Sequence, residues 1–323
     1  MEYRRLGRAG LKVSALSLGA WVTYGGQVGV AEAVEILAVA RDHGINFLDN
    51  AESYAQGKAE NVMGEALREL RWARENFVVT TKFFAGLNDG PNQRRTLNRK
   101  YLLGAIDGSL ARLGLDYVDV VYAHRPDPDT PIEETVWAFH DIIARGKALY
   151  WGTSEWDADA IRAAWDFADR AHLHKPVTEQ PQYNLLARRR VEQEYARLYP
   201  DIGLGLTTWS PLAGGVLSGK YADGIAPDSR AALNSNERLL ERIASAGIRA
   251  AVEQLADIAR TLDATPAQLA LSWALRNPHV STVITGASRV EQLRANLGAL
   301  ALVPQLDNEI AQRLEGLFAG LEA

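Results

Sequence analysis

The feature that most constrains the fold of this chain is a series of eight short apolar runs, separated by longer segments with helical periodicity. In the segment Ala31–His43, for example, apolar residues such as Ala33 and Ile36 recur three or four positions apart, which predicts an amphipathic helix. The apolar runs are Ala15–Leu18, Phe47-Leu48, Phe77–Thr80, Val118–Ala123, Ala148–Gly152, Val177–Glu179, Gly203–Thr207 and Val280–Ile284. Similar helical patterns occupy Lys58–Leu70, Lys100–Leu113, Pro131–Arg145 and Asp157–Ala171.

Near-continuous apolar strands indicate burial on both faces, as in a parallel sheet. Eight strand–helix units favour an α/β fold closed into a (β/α)8 TIM barrel. The alternative is a doubly wound open sheet, which usually binds dinucleotides through a G-x-G-x-x-G turn after its first strand. The nearest match is Gly203-Leu204-Gly205, where Thr208 occupies the place of the third glycine. The sequence therefore predicts the barrel.

Three additions to the barrel are predicted. Tyr3–Leu6 and Lys12–Ser14 flank a glycine-containing turn and predict an N-terminal β-hairpin. A long insertion separates the seventh and eighth strands, and such an insertion is either a lid over the site or a surface excursion. Its helical patterns are Leu239–Leu262 and Pro266–Arg276, and a last helix is predicted over Asn308–Leu317. No low-complexity linker interrupts the sequence, so residues 1–323 are expected to form one domain.

Composition narrows the class of function. The chain is 47% hydrophobic and 23% charged, which suits a large globular core. Its net charge of −5 and the lack of a basic block argue against nucleic-acid binding. The absence of cysteine excludes disulfides, thiolate metal sites and cysteine nucleophiles. His172 and His174 would need a third ligand to hold a metal, so no metal is expected. Without a long apolar run or a signal-peptide pattern, we expect a cytoplasmic protein that does not insert into membranes.

Three predicted strands end in polar residues that packing does not require. Asp49, Lys82 and His124 follow the second, third and fourth strands, and Tyr54 lies five residues after Asp49. In a barrel these side chains would meet at the C-terminal mouth, where barrel enzymes keep their active sites. Each residue alone is weak support, since a lone lysine, histidine or tyrosine is usually structural. Their joint placement is what predicts a site.

The four side chains suit proton transfer to a carbonyl oxygen. A free tyrosine has a pKa near 10, and the ammonium of Lys82 is expected to lower the pKa of Tyr54 by stabilising the phenolate. Asp49 would pair with Lys82 and offset the cost of burying it. His124 would donate a hydrogen bond to the substrate or pass a proton to Tyr54. A cofactor would supply hydride from the other side.

The segment from Asp49 to Tyr54 resembles the D-x-A-x-x-Y signature of the aldo-keto reductases, and Gly57 and Glu60–Gly64 continue it. The resemblance covers nearly the whole chain and implies a catalytic tetrad of Asp49, Tyr54, Lys82 and His124. It is strongest to the branch of the voltage-gated potassium channel β subunits and their bacterial relatives. The segments that carry the likeness to this branch are Trp21–Gln27, Arg125–Pro128, Tyr150–Ser154 and Trp209–Ala213.

The resemblance implies reduction of small aldehydes and ketones by NADPH, with Tyr54 as the proton donor. The alternative is an NADPH-sensing subunit of a membrane channel with little turnover. Channel subunits commonly carry Asn at the position of His124, so this histidine favours a working reductase. A non-redox barrel enzyme such as a lyase is a third hypothesis. The related branch often forms tetramers or larger rings, which makes a homo-oligomer a further expectation.

The resemblance also implies a set of NADPH-binding residues. Ser154 and Gln180 would hold the nicotinamide carboxamide, and Trp209 would bound its pocket. The backbone of Ser210, Pro211, Leu212, Ala213 and Gly214 would pass the pyrophosphate, and Lys220 and Arg230 would supply positive charge to the phosphates. Gly286, Ser288 and Arg289 open a helix that would take the 2′-phosphate, and Gln292 and Asn296 would reach the adenine. Trp21, Gln27 and Asp49 complete the set. Ala295 and Asp228 depart from the pattern of the channel subunits.

Overall fold

The computed structural model describes residues 1–227, 229–233 and 237–321. Asp228, at which the sequence departs from the channel-subunit pattern, lies outside the described residues.

Eight parallel strands close into a barrel, in the order β10-β3-β4-β5-β6-β7-β8-β9. All eight predicted runs form barrel strands, so the predicted TIM barrel is confirmed. The barrel strands are β3 (Leu16–Gly19), β4 (Phe47–Asp49), β5 (Val78–Phe83), β6 (Val118–Ala123), β7 (Ala148–Thr153), β8 (Thr178–Glu179), β9 (Gly205–Thr208) and β10 (Val280–Thr285).

The predicted N-terminal hairpin is present as β1 (Tyr3–Arg5) and β2 (Lys12–Ser14), which pair antiparallel. Leu6 and Val13 of this hairpin are fully buried against a cluster that includes Phe47 of the barrel wall. The hairpin therefore packs on the apolar barrel interior, and its apolar residues are stabilised by the same burial that stabilises the strands.

Helices cover the outside of the barrel, and seven predicted helices agree with the structure to within one residue at either end. The helices are α1 (Val30–Asp42), α2 (Lys58–Leu70), α3 (Arg99–Leu113), α4 (Ile132–Ala144), α5 (Ala158–Arg170), α6 (Leu198–Ile202), α7 (Arg230–Leu233), α8 (Glu237–Ala244), α9 (Ala246–Thr261), α10 (Pro266–Arg276), α11 (Val290–Leu297), α12 (Ala299–Leu302) and α13 (Asn308–Phe318). Short 3-10 or π turns span Tyr54–Gly57, Arg74–Asn76, Arg190–Glu194, Ala213–Ser218 and Val303–Gln305.

The insertion between β9 and β10 corrects one prediction. The helix predicted over Leu239–Leu262 is two helices, α8 and α9, because the chain is extended at Ser245. The Ser245 side chain accepts a hydrogen bond from the backbone N–H of Ile248 and so caps α9. The last predicted helix extends one residue further, to Phe318.

Across the described ranges, no helix is both long enough and apolar enough to cross a membrane.

Candidate active site

A cavity of about 840 Å³ opens at the C-terminal end of the barrel strands. Its volume lies in the upper part of the range of about 300–1,000 Å³ typical of ligand pockets. Asp49, Ser154 and Gln180 line it from strand ends, and the insertion contributes Arg230 and Leu233. The insertion therefore forms part of the site rather than only covering the barrel wall.

An ion pair forms the floor of this cavity. The Lys82 ammonium donates to Asp49 Oδ2 at 2.6 Å, and both side chains are almost fully buried. Lys82 also donates to the backbone oxygen of Asn50 at 2.7 Å. Thr80 and Gln180 donate to the second Asp49 oxygen at 2.8 and 3.0 Å. These contacts give the buried charges the partners they need, because an unpaired charge at this depth would be strongly destabilising.

Tyr54 lies directly above the ion pair. The Lys82 ammonium donates to its hydroxyl oxygen at 3.1 Å. The turn that carries Tyr54 passes through Ala55 and Gln56, which have left-handed φ values of +48° and +59°. This conformation is costly for residues with a Cβ and often occurs at functional sites. The turn thus holds the phenol over the ammonium.

The pKa of Tyr54 departs from the prediction. Burial, together with the nearby Asp49 carboxylate, raises the pKa of Tyr54 well above its usual value of 10. The predicted lowering by Lys82 is therefore wrong, because Asp49 offsets the ammonium charge and burial disfavours the phenolate. Tyr54 is a neutral phenol at physiological pH.

His124 lies beside the phenol. Its ring packs edge-on against Tyr54, with 5.9 Å between ring centroids and an interplanar angle of 75°. Burial lowers the pKa of His124 well below 6.5, and the positive charges of Lys82 and Arg125 lower it further. The imidazole is neutral at pH 7, so one ring nitrogen donates a hydrogen bond and the other accepts one.

The nicotinamide-binding residues predicted at the ends of β7 and β8 line the same cavity. Ser154 Oγ donates to the backbone oxygen of Gln180 at 2.9 Å. The Gln180 amide nitrogen donates to Asp49, which links these residues to the ion pair. The Trp209 indole stands edge-on to Trp21, with centroids 5.4 Å apart. Together the two indoles form an aromatic wall next to Tyr54, whose ring lies 6.4 Å from Trp21.

The segment after β9 forms a compact turn. Gly214 and Gly215 have φ values of +74° and +97°, which only glycine adopts readily. A Cβ at Gly215 would lie 2.4 Å from the Cε atom of Lys220, so glycine allows that lysine to approach the backbone of the turn. The Arg230 guanidinium carbon lies 4.2 Å from the centroid of the Trp21 ring, and its buried Nε atom has no hydrogen-bond partner among the described residues. An anion would satisfy this donor.

The residues after β10 close the far end of the cavity. Ser288 donates to Gln292 Oε1 from its backbone N–H at 2.9 Å and from its hydroxyl at 3.1 Å. In this structure Ser288 and Gln292 are thus paired with each other. Arg289 is the N-cap residue of α11.

Most of the predicted site residues line the cavity. Three do not: Lys82 lies beneath Tyr54, and Ala213 and Arg289 are outside the lining. The predicted residues in the lining are Trp21, Gln27, Asp49, Tyr54, His124, Ser154, Gln180, Trp209, Ser210, Pro211, Leu212, Gly214, Lys220, Arg230, Gly286, Ser288, Gln292 and Asn296.

Sequence reasoning missed several lining residues. Arg125 and Gly215 adjoin predicted residues, and the adjacency of Arg125 to His124 was the available signal. Leu233 comes from the insertion and carries no motif that could have identified it.

The described side chains contain no group of three or more His, Asp or Glu that could hold a metal ion. His172 and His174, the two histidines whose spacing was weighed above, are both exposed. His174 Nδ1 lies 2.9 Å from His140 Nδ1 on the outer surface.

Comparison with known proteins agrees with this geometry. The sequence model described as "Aldo/keto reductase family" matches residues 15–318. A protein of Arabidopsis thaliana named probable voltage-gated potassium channel subunit beta is 51% identical over 316 residues, covering 98% of this chain and 96% of the relative. A protein of the same name from Oryza sativa subsp. japonica is 51% identical over 318 residues with the same coverage. The predicted resemblance is confirmed.

Proposed function

The chain belongs to the aldo/keto reductase family, and from this premise we propose that it reduces aldehydes and ketones to alcohols with NADPH. The observation that carries the proposal is the position of Lys82. Its ammonium contacts Asp49 Oδ2 and Tyr54 Oη together on the floor of a cavity large enough for a dinucleotide. This arrangement supplies a proton beside the place where a carbonyl oxygen can bind.

In this proposal, four residues of the cavity have different roles in proton transfer. Tyr54 gives its proton to the carbonyl oxygen while the carbonyl carbon accepts a hydride, so one alcohol forms for each hydride and each proton consumed. Lys82 stabilises the phenolate that remains, and Asp49 keeps Lys82 in place. Neutral His124 donates a hydrogen bond that orients the carbonyl oxygen. Solvent then returns a proton to Tyr54.

NADPH would supply the hydride, and the cavity lining fits it. In the proposal, Ser154 and Gln180 bind the carboxamide, and Trp209 packs near the nicotinamide ring with Trp21, Gln27 and Asp49. The unpaired Nε of Arg230, with Lys220 and the Ser210–Gly214 turn, fits the phosphates. Around α11, Gly286, Ser288 and Arg289 take the 2′-phosphate and Gln292 and Asn296 the adenine. For Ser288 and Gln292, binding would exchange their mutual hydrogen bonds for ligand contacts.

Replacement of Tyr54 tests the proposal. Tyr54→Phe should lower kcat/KM for aldehyde reduction by about 10²–10⁴-fold, the usual contribution of a positioned proton donor. NADPH binding, followed by fluorescence titration, should change little because the ring remains. Reduction at a near wild-type rate in Tyr54→Phe would exclude it as the acid.

Tyr24→Phe is a matched control. Tyr24 is buried in the same region, and no described residue forms a hydrogen bond with its hydroxyl. Removal of this hydroxyl should leave kcat/KM for aldehyde reduction close to that of the wild type. An equal decrease of kcat/KM in Tyr24→Phe and Tyr54→Phe would indicate a general disturbance of the cavity.

A second candidate function is that of a regulatory subunit of a membrane channel, which senses bound NADPH. The names of the two plant relatives favour this function. We further propose that the chain forms a homo-oligomer, a tetramer or larger. Co-purification with a membrane protein, together with negligible turnover on a panel of aldehydes, would support this function over the first. Light scattering after size exclusion measures the oligomeric state.

A further inference from the structure

Arg125 adds a positive charge to the cavity that the proposed reduction does not use. It follows His124 at the end of β6 and lines the cavity. One guanidinium nitrogen, Nη1, donates to the backbone oxygen of His124 and to Ser154 Oγ at 3.3 Å. These contacts involve a single nitrogen of the guanidinium and fix the side chain against the wall beside the tetrad.

Arg125 forms no ion pair within the described ranges of the chain. Other arginines that are partly buried do: Arg74 pairs with Asp119 at 2.7 Å, and Arg112 pairs with Glu60 at 2.7 Å. Asp49, which also lines the cavity, already accepts hydrogen bonds from Lys82, Thr80 and Gln180. A guanidinium in a partly desolvated cavity without a carboxylate partner is therefore a ready site for an anion.

The electrostatic influence of Arg125 reaches the reacting groups. Its positive charge acts to lower the pKa of Tyr54, of Lys82 and of His124, although burial has the larger effect on each. Arg125 is thus close to the place where the carbonyl group would react. An anionic substituent on the same small molecule could reach it.

Apolar surface is also exposed at the mouth of the cavity. Trp21 and Leu233 line the cavity and keep 36% and 54% of their surface exposed. A substrate body with aromatic or aliphatic surface would cover them.

We propose that Arg125 binds an anionic oxygen group of the substrate, so that the preferred substrates are carbonyl compounds with an apolar body and a carboxylate or phosphate. The inference rests on the proposed carbonyl reduction and specifies its substrate class. Arg125 selects the substrate through the fork geometry of its guanidinium, which matches carboxylate and phosphate oxygens.

Matched aldehydes test the inference. We compare kcat/KM for 4-carboxybenzaldehyde with that for methyl 4-formylbenzoate, which has the same ring and no charge. In Arg125→Met, the ratio of the two values should fall by about tenfold or more, the loss expected for a charge-assisted hydrogen bond of about 1.5–3 kcal/mol. Arg125→Lys keeps the positive charge but lacks the planar guanidinium. Its ratio of kcat/KM values should lie between those of Arg125→Met and the wild type. Substituting 4-formylphenyl phosphate for the carboxylate, against neutral 4-methoxybenzaldehyde, distinguishes phosphate from carboxylate substrates.

Two controls exclude indirect effects. Arg145→Met removes an exposed arginine at the end of α4 and should leave the substrate ratio unchanged. Thermal unfolding of each variant checks that Arg125 substitutions leave the fold intact. If Arg125→Met lowers both rates equally, or mainly weakens NADPH binding, then Arg125 acts on the cofactor or on Tyr54 and the inference is wrong.

A binding measurement distinguishes failure of this inference from failure of the proposed function. The affinity of 4-(hydroxymethyl)benzoate for the protein saturated with NADP⁺ is measured by calorimetry, without turnover. Tighter binding to wild type than to Arg125→Met supports the anion site even if no aldehyde is reduced. Equal binding to both proteins overturns it.

Discussion

At the scale of single residues, burial controls the protonation states in the site. Tyr54 and His124 both lie in a desolvated pocket, which raises the pKa of the phenol and lowers that of the imidazole. Both shifts favour the neutral form, because a low-dielectric environment disfavours charge. Lys82 and Asp49 form a buried ion pair beneath them. The site therefore combines a neutral phenol with a buried ion pair in direct contact with it.

These shifts predict the dependence of activity on pH. The pKa of Tyr54 lies well above 10, so the phenol stays protonated, and the pKa of His124 lies well below 6.5, so the imidazole stays neutral. We expect kcat/KM for carbonyl reduction to be nearly constant between about pH 7 and pH 9. Alcohol oxidation needs the phenolate and should rise with pH across the same interval. A bell-shaped reduction profile with an inflection near 6.5 would contradict the assignment of a neutral His124.

At the scale of elements, close packing of α2 against α3 supports the strand that carries Lys82. Glu60 of α2 is fully buried, accepts a hydrogen bond from Thr81 of β5 and pairs with Arg112 of α3. Thr81 immediately precedes Lys82, so this contact fixes β5 from outside the barrel. The helices approach so closely at Gly64 that a Cβ there would lie 2.3 Å from the backbone oxygen of Leu113.

Two glycine substitutions test this packing. Gly64→Ala should lower the free energy of unfolding by about 1–3 kcal/mol, since backbone atoms of α3 cannot move aside cheaply. Gly104→Ala is the matched control, because a Cβ at this exposed position of α3 meets no atom within 4 Å. Its expected effect is a gain of up to about 1 kcal/mol from helix propensity. Denaturant unfolding measures both, and equal effects would refute the close contact at Gly64.

At the scale of the whole molecule, the cavity joins parts of the chain that are far apart in sequence. The lining runs from Gly19 near the N-terminus to Asn296 on α11, and it includes Arg230 and Leu233 of the insertion. A dinucleotide bound along it would bridge the barrel and the insertion. Ligand binding should therefore stabilise the folded state as a whole rather than one loop.

NADPH should raise the thermal unfolding temperature in proportion to its binding energy. At an NADPH concentration of about 100 times Kd, the free energy of unfolding should rise by about 2.7 kcal/mol. In Arg289→Ala, the stabilisation by NADPH should shrink much more than that by NADH, because only NADPH has a 2′-phosphate. Equal shrinkage would mean that Arg289 does not contact this group. Absence of any stabilisation by NADPH in the wild type would favour a non-redox barrel enzyme.

The amino-acid sequence alone determined the elements and the chemistry-bearing positions. Apolar periodicity is a local property, so the strands and most helices, including α2 and α10, follow from the residues themselves. Strand order in a (β/α)8 barrel follows the chain, and so Asp49, Lys82 and His124 at the ends of successive strands were predicted to converge. Motif resemblance identified the family for the same reason, because it depends on residue type and spacing.

Only the tertiary structure decided how these residues behave together. The direction of the Tyr54 pKa shift depends on burial by distant segments, which no local pattern encodes. The break at Ser245, the pairing of Ser288 with Gln292 and the placement of Leu233 at the mouth depend on how the insertion and α11 pack. The lack of an ion-pair partner for Arg125 among the described residues likewise depends on the folded surroundings. Desolvation and pairing are properties of the folded surroundings, since each is set by atoms that the sequence places far away.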